Sequence, residues 1–269
     1  MTVPSTAVAD FRALHVPGDP IVLVNAWDAA SARIVEASGA RAVATTSAGV
    51  AWSLGVPDGG ALDRDSALDA VARIVRSVRV PVTADIEDGF GDDPAAVGVT
   101  VERLRDTGAV GVNIEDSRGG QLLEVGAAAD RVAAARASGG SGVFVNVRID
   151  TYLLAIDDPA GRLDATLQRA AAFLAAGADG IFVPGTGDAA VIAALVAGID
   201  APLNVAGSPG APTVKELTAL GVARISTGAA TALTAYGALR RVLEGIADSY
   251  DAEVGGVGYG ELNDLLSGR

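Results

Sequence analysis

The stretch PVTADIEDGFG, residues 81–91, begins as an apolar run and then places Asp85, Glu87 and Asp88 within four positions. An isolated carboxylate in a water-poor cleft is protonated or destabilises the fold, so such a cluster needs either a cation or open solvent. If PVTAD is a buried strand, its neighbour lies about 5 Å away, and Glu115, which ends the next apolar run GVNIE, shares a mouth with Asp85. Glu87 and Asp88 then sit on the connecting loop. A hard divalent cation relieves the mutual repulsion. The chain has no cysteine, and its single histidine, His15, lies far upstream, so the ligands are oxygens, which suits Mg²⁺ or Mn²⁺ and not zinc. The alternative is a solvated acidic loop capping the following helix, for which DDPAAV offers Asp92 or Asp93 as the cap and Pro94 in the first turn.

Arg148 ends the run VFVNVR. A guanidinium at a strand end facing carboxylates suits a substrate carboxylate, which it grips with two parallel hydrogen bonds; an ion pair with Glu115 or Asp150 is the structural alternative. TTSAGV, at the end of the second apolar run, brings backbone N–H groups on small residues, an anion cradle. Other polar residues close apolar runs, among them Asn25, Asn113, Asn146, Asn204 and Ser226; Asn113 and Asn204 complete the candidate substrate contacts. Asp28 and Asp63 read equally well as helix N-caps. Without cysteine there is no thiolate nucleophile. His15, in the N-terminal arm, reads as a surface or helix-packing residue, which leaves no Ser-His-Asp triad. The one lysine, Lys215 in TVKELTAL, reads as solvent-facing on a helix, which removes the amine of a Schiff-base enzyme.

The elements that must position these groups follow one rhythm. Short β-branched runs recur at 21–25, 41–47, 80–85, 109–115, 142–148, 180–184, 201–205 and 223–226, separated by Ala-rich segments of helical period that often end in Gly. Eight such units, apolar on both faces and with no unit resembling an edge, predict an α/β chain closed as a (β/α)8 TIM-type barrel, with the chemistry at the strand C-termini. Residues 1–247 are expected to form this single catalytic barrel and 248–269 a C-terminal appendage. The net charge of -13 carries no basic patch for nucleic acid or anionic membrane, no apolar stretch reaches a membrane span, and MTVPSTAVADFRALH lacks a basic-then-apolar leader. A small-molecule partner and a cytoplasmic location are expected.

Four ordered motifs then resemble the isocitrate lyase and phosphoenolpyruvate mutase superfamily. SLGVPD with Asp58, ADIEDGFG, VNIEDS and VNVRID are similar to its P-D loop, its D-x-D-x-G-[FY]-G metal loop, its I-E-D strand end and its A-R-x-D strand end, across about residues 20 to 240. The resemblance implies Mg²⁺, or Mn²⁺, held directly by Asp85, with Asp58, Glu87 and Glu115 reaching it mostly through water. It implies that Ser47, Ala48 and Gly49 cradle a carboxylate substrate, that Arg148 is its cationic partner, and that Arg148, Asp58 and Glu115 serve catalysis. The activity implied is a lyase or hydrolase that cleaves a C–C or P–C bond of a small 2-oxo or 2-hydroxy dicarboxylate-like acid through a metal-stabilised enolate. The eighth helix, ATALTAYGALRRVLEGIADSY, would be swapped between subunits of a homotetramer built as a dimer of dimers.

Departures from the family pattern narrow this. The loop EDSRGGQLLEV has none of the lysine, cysteine and histidine of the K-[KR]-C-G-H motif of isocitrate and methylisocitrate lyases, Glu87 stands where Asp is more common, and Gly185 replaces a glutamate of the tricarboxylate lyases. A simple isocitrate or methylisocitrate lyase is therefore not expected. Two alternatives stay open: a phosphoenolpyruvate/phosphonopyruvate mutase, and a barrel that binds a phosphorylated metabolite through AGSPGAP and STGAA.

Overall fold

A strand buried on both faces has no polar side to show, and the eight apolar runs assemble accordingly into one sheet covered by helices. A computed structural model describes residues 5–156, 158–208, 210–245 and 257–267. The strands are β1 (Ile21–Leu23, resumed at Asn25–Ala26), β2 (Val43–Thr45), β3 (Val82–Asp85), β4 (Gly111–Glu115), β5 (Phe144–Arg148), β6 (Gly180–Val183), β7 (Leu203–Ala206) and β8 (Arg224–Ser226). Helices are α1 (Ser5–Ala13), α2 (Ala29–Ala37), α3 (Ser47–Ser53), α4 (Arg64–Ser77), α5 (Pro94–Thr107), α6 (Val125–Gly139), α7 (Arg162–Ala175), α8 (Ala189–Gly198), α9 (Val214–Ala219), α10 (Ala230–Gly245) and α11 (Tyr259–Ser267). Every pair between these strands is parallel, and each strand neighbours the next in sequence.

The ring closes through β1, which the sequence presents as one run and the structure breaks at Val24. Its first half pairs with β8, Ile21 opposite Arg224; its second half pairs with β2, Asn25 opposite Ala44. The break lets one strand change partners where the ring meets itself. Asn25 staples this seam: its Oδ1 accepts from the N–H groups of Thr227 (3.0 Å) and Gly228 (2.9 Å), and its Nδ2 donates to the Thr45 carbonyl at 2.7 Å.

Helix starts follow the local chemistry. Asp28 caps α2 through Ser31 N–H (2.7 Å), Asp63 caps α4 through Ser66 N–H (2.9 Å), and Asp93, not Asp92, caps α5 through Ala96 N–H (2.8 Å) with Pro94 in the first turn. Lys215 is exposed on α9. In the C-terminal segment, α11 rests on α2, where Arg33 Nε donates to the Leu265 carbonyl at 2.6 Å; residues 246–256 lie outside the described residues.

The N-terminal face of the barrel is plugged by α1. Phe11, fully buried, meets Phe144 of β5 edge-on with ring centroids 5.7 Å apart, and His15 stacks on Phe144 at 4.2 Å. His15 is a packing residue: its Nδ1 donates to the Phe11 carbonyl at 2.9 Å and its Nε2 has no partner. Burial, reinforced by the Arg224 guanidinium, pushes its pKa down to about 4.

Because the folded pKa lies below the unfolded value, the unfolded chain binds the proton more readily. His15 therefore contributes stability that is fully present above pH 6.5 and is lost as pH falls toward 4, by up to about 3 kcal/mol. His15→Phe keeps the stack and removes the titration. Urea midpoints measured from pH 7.5 to 4.5 should fall more steeply for the parent than for the variant, with the carboxylates common to both cancelling; parallel curves would refute the linkage.

Candidate active site

Three adjacent strands deliver the candidate groups to one end of the barrel. The β3–β4 register sets Asp85 opposite Asn113, and the β4–β5 register sets Glu115 opposite Arg148. Arg148 is held on both sides: Nη1 donates to Glu115 Oε1, while Nε and Nη2 reach the two oxygens of Asp150 at 2.6 and 3.1 Å. Asp150 is fully buried and also accepts Ser117 Oγ–H at 2.5 Å. Its own N–H donates to Asp116 Oδ1 at 2.9 Å, and Asp116 is paired in turn with Arg169 of α7 at 3.0 Å. Both of the carboxylates that compete with a substrate for Arg148 in the sequence reading are thus engaged.

Asp85 ends β3 with each carboxylate oxygen on a backbone amide, Oδ2 accepting from Ser47 N–H and Oδ1 from Glu87 N–H, both at 3.3 Å. The Ser47 amide of TTSAGV is therefore turned onto Asp85. Gly49, in the same first turn of α3, is required by crowding, since a Cβ there would lie 2.8 Å from Trp27 and Thr46 side-chain carbons. Glu87 adopts a left-handed backbone, φ +50°, an unfavourable place for a residue with a side chain. Its Oε1 is buried without a partner.

The cluster is electrostatically loaded. Burial raises the Asp85 pKa, and Arg148 opposes it. Burial, then the charges of Asp85 and Asp58, pushes Glu87 up to about 7. Glu115 lies well above the carboxylate range, chiefly through burial, although Arg148 pulls it down.

Three arginines hold the loop that carries Glu87. Arg131, buried on α6, donates to the carbonyls of Asp88 (2.8 Å) and Gly91 (2.6 Å); Arg64 of α4 donates to the Phe90 carbonyl at 2.7 Å. Arg118 stands on a two-stranded hairpin, Ser117–Arg118 against Gln121–Leu122, turned by Gly119 and Gly120 at positive φ. It pairs with Asp88, and with Asp92 at 3.1 Å. Hairpin and loop form the walls of a cleft of about 960 Å³ onto which Asp58, Glu87, Glu115, Arg118, Arg148 and Asp150 open. Asp85, Ser47, Ala48 and Gly49 are set back from that wall.

Asn113 and Asn204, expected to touch substrate, lie inside the barrel beneath the cleft. Asn146 Nδ2 donates to Asn113 Oδ1 (2.9 Å) and to Asn204 Oδ1 (3.2 Å), and Ser226 Oγ–H also donates to Asn204 Oδ1 (3.0 Å). Arg169, Arg131 and Arg64 are absent from the sequence reading because each sits in an ordinary helical segment. Only a charge at a buried helical phase marks Arg169 and Arg131.

Among the described residues no three carboxylates form a preformed metal cage. The donor chemistry nevertheless fits a hydrated Mg²⁺: all donors are oxygen, Glu87 Oε1 is a buried acceptor without a partner, and the carboxylates repel one another. Such an ion needs only one or two direct carboxylates and keeps several waters. The phosphate alternative loses its donors after β8, where the N–H groups of Thr227 and Gly228 are spent on Asn25.

Comparison with known proteins agrees with this arrangement. The family model described as phosphoenolpyruvate phosphomutase matches residues 11–247. The chain is 41% identical over 218 residues to the uncharacterized protein Rv1998c of Mycobacterium tuberculosis (strain ATCC 25618 / H37Rv), covering 81% of each. It is 31% identical over 182 residues to the 2-methylisocitrate lyase of Escherichia coli (strain K12), covering 64% of this chain and 60% of that enzyme. Oxaloacetate acetylhydrolase in complex with the inhibitor 3,3-difluorooxalacetate superposes with a TM-score of 0.87 at 25% identity, over 98% of this chain and 94% of that one.

The geometry around Arg148 makes a prediction of its own. Lysine keeps the charge but cannot bridge Glu115 and both oxygens of Asp150, so Arg148→Lys leaves a buried carboxylate short of donors. Differential scanning calorimetry should show a loss of about 2 kcal/mol, roughly 5 °C in melting temperature. An unchanged melting temperature would mean that the fork is not required for stability.

Proposed function

The chain belongs to the phosphoenolpyruvate mutase family, and from that premise we propose that it is a divalent-cation-dependent lyase or hydrolase. Its substrate on this reading is a small 2-oxo or 2-hydroxy dicarboxylate-like acid, cleaved at a C–C bond or, in a phosphonate analogue, at a P–C bond. One observation carries this reading: adjacent strand ends bring Glu115 and Arg148 to a single cleft, with Glu87 of the loop after β3 on its wall and Asp85 at the end of β3 set just behind it. Asp85 would hold Mg²⁺, with Mn²⁺ as a substitute, and Asp58, Glu87 and Glu115 would reach it mostly through water. When bound there, the cation supplies a Lewis acid toward a substrate oxygen.

The chain's own residues do the remaining work. The amides of Ser47 and Glu87 fix both oxygens of Asp85. Asp150 and Glu115 use three of the five N–H groups of Arg148, leaving one on each Nη for a substrate carboxylate. The hairpin carrying Arg118 forms one wall of the cleft. With no cysteine in the chain, and with His15 and Lys215 outside the cleft, the proton taken up by the departing carbon comes from water or a carboxylic acid. This supports a cleavage that differs from that of enzymes with a lid cysteine, as the departures in the loop indicate.

We further propose a single barrel through residue 247, a cytoplasmic location and a homotetramer. The cysteine-free composition, and the lack among the described residues of a helix able to cross a membrane, support the location. Assembly is supported by α10, which exposes Leu233, Leu239 and Leu243 by 57%, 57% and 58% along one helix, an apolar surface suited to a neighbouring subunit.

For the site, Mg²⁺ at 100 times its dissociation constant should stabilise the parent by about 2.7 kcal/mol and leave Asp85→Asn unshifted. The parent should also release product from oxaloacetate, a 2-alkylmalate or phosphonopyruvate only with the cation present. Equal Mg²⁺-induced melting shifts in both proteins, or no turnover of any of these acids, would overturn the reading.

For the assembly, multi-angle light scattering at micromolar concentration should give about four times the chain mass of 26.7 kDa. A monomer mass would reject the exchange of α10.

A further inference from the structure

Arg224 is the largest side chain with no exposure at all, and it lies inside the barrel, on β8. Its Nη2 donates to Asn113 Oδ1 at 3.1 Å and its Nε reaches Ser226 Oγ at 3.4 Å, while Nη1 is buried with no partner. Among the described residues no carboxylate forms an ion pair with it. A buried guanidinium without a counter-ion in contact is among the costlier features a fold can carry. Burial lowers its pKa to about 9, so it remains charged at neutral pH, and the one charge that opposes this shift is that of Asp85.

The position of that charge gives it a consequence. Asn113, which accepts from Arg224, is the register partner of Asp85 across β3 and β4. The guanidinium, itself fully buried, therefore sits inside the barrel below the carboxylates at the strand ends. Above it, Asp85, Glu87 and Glu115 outnumber Arg148. Left alone, this excess would draw a divalent cation tightly and repel an anionic acid.

We propose that Arg224 is a positioning residue that acts by charge, a fixed cation in the barrel floor that weakens cation capture by the Asp85 cluster and favours entry of the substrate anion. The inference rests on the cation reading of the site given above. Its sign sets it apart from a structural role: a residue that merely packs the barrel can only weaken binding when it is replaced, whereas removing a like charge strengthens the binding of a cation.

Titration calorimetry with Mg²⁺ alone tests this on the full chain. Arg224→Met, neutral and of similar reach, should bind Mg²⁺ at least about fivefold more tightly than the parent, as expected for a unit charge removed within a poorly screened interior. Arg224→Lys, which keeps the charge, should stay within about twofold of the parent. With Mg²⁺ saturating, oxalate should bind more weakly to Arg224→Met than to Arg224→Lys. If Arg224→Met does not fold by circular dichroism, Arg224→Gln, which retains a donor toward Asn113, is read in the same way. Unchanged or weaker Mg²⁺ binding by a folded neutral variant would overturn the inference while leaving the cation reading intact. Absence of Mg²⁺ binding by the parent would instead overturn that reading and this inference with it.

Discussion

Several carboxylates are confined at the mouth of an apolar barrel, and their mutual repulsion is the constraint the rest of the structure answers. Desolvation raises Asp85, Glu87 and Glu115, and like charge adds to it at Glu87 and Glu115, so none is stable there without a donor or a positive partner. The structure supplies these in kind. Backbone amides serve Asp85, a guanidinium serves Glu115 and Asp150, and Arg224 adds a charge from below without contact. Among the described carboxylates of this cluster, Glu87 Oε1 stays buried without a partner, which is the atom a cation would answer on the function proposed above.

The loop that carries Glu87 shows how such a site is kept in shape. A left-handed glutamate and a left-handed phenylalanine, Glu87 and Phe90, stand within four residues of each other, and each conformation costs of order 1 kcal/mol or more. Arg131 and Arg64 offset this by binding the loop's carbonyl groups from two different helices, α6 and α4. Arg118 links the same loop to the hairpin after β4. The loop is thus positioned by elements that are rigid for other reasons, so the geometry of the cleft depends on the packing of helices around the barrel.

Inside the barrel an amide layer, Asn113, Asn146 and Asn204 with Ser226, separates the charged mouth from the aromatic plug of Phe11, His15 and Phe144. The asparagines answer one another's hydrogen-bonding needs and so allow polar groups where most barrels of this kind hold aliphatic side chains. This layer also couples Arg224 to the strand pair that ends in Asp85 and Glu115.

The sequence by itself determined what depends on local pattern. The eight strands, the caps at Asp28 and Asp63, a cap for α5 at Asp92 or Asp93, and the gathering of Asp85, Glu115 and Arg148 at one end all follow from periodicity, capping chemistry and the direction of parallel strands. Composition excluded thiolate chemistry outright and left one lysine, Lys215, whose setting reads as a solvent-facing helix. Only the tertiary structure decided which charges touch. That Arg148 pairs with Glu115, that Arg169, Arg131 and Arg64 reach across from helices, that Asn113 and Asn204 face the interior, and that β1 breaks at Val24 to close the ring are relations between segments tens of residues apart. A guanidinium carries the same charge wherever it stands. Its partner is set by the packing of the element that bears it, and packing is a property of the whole fold.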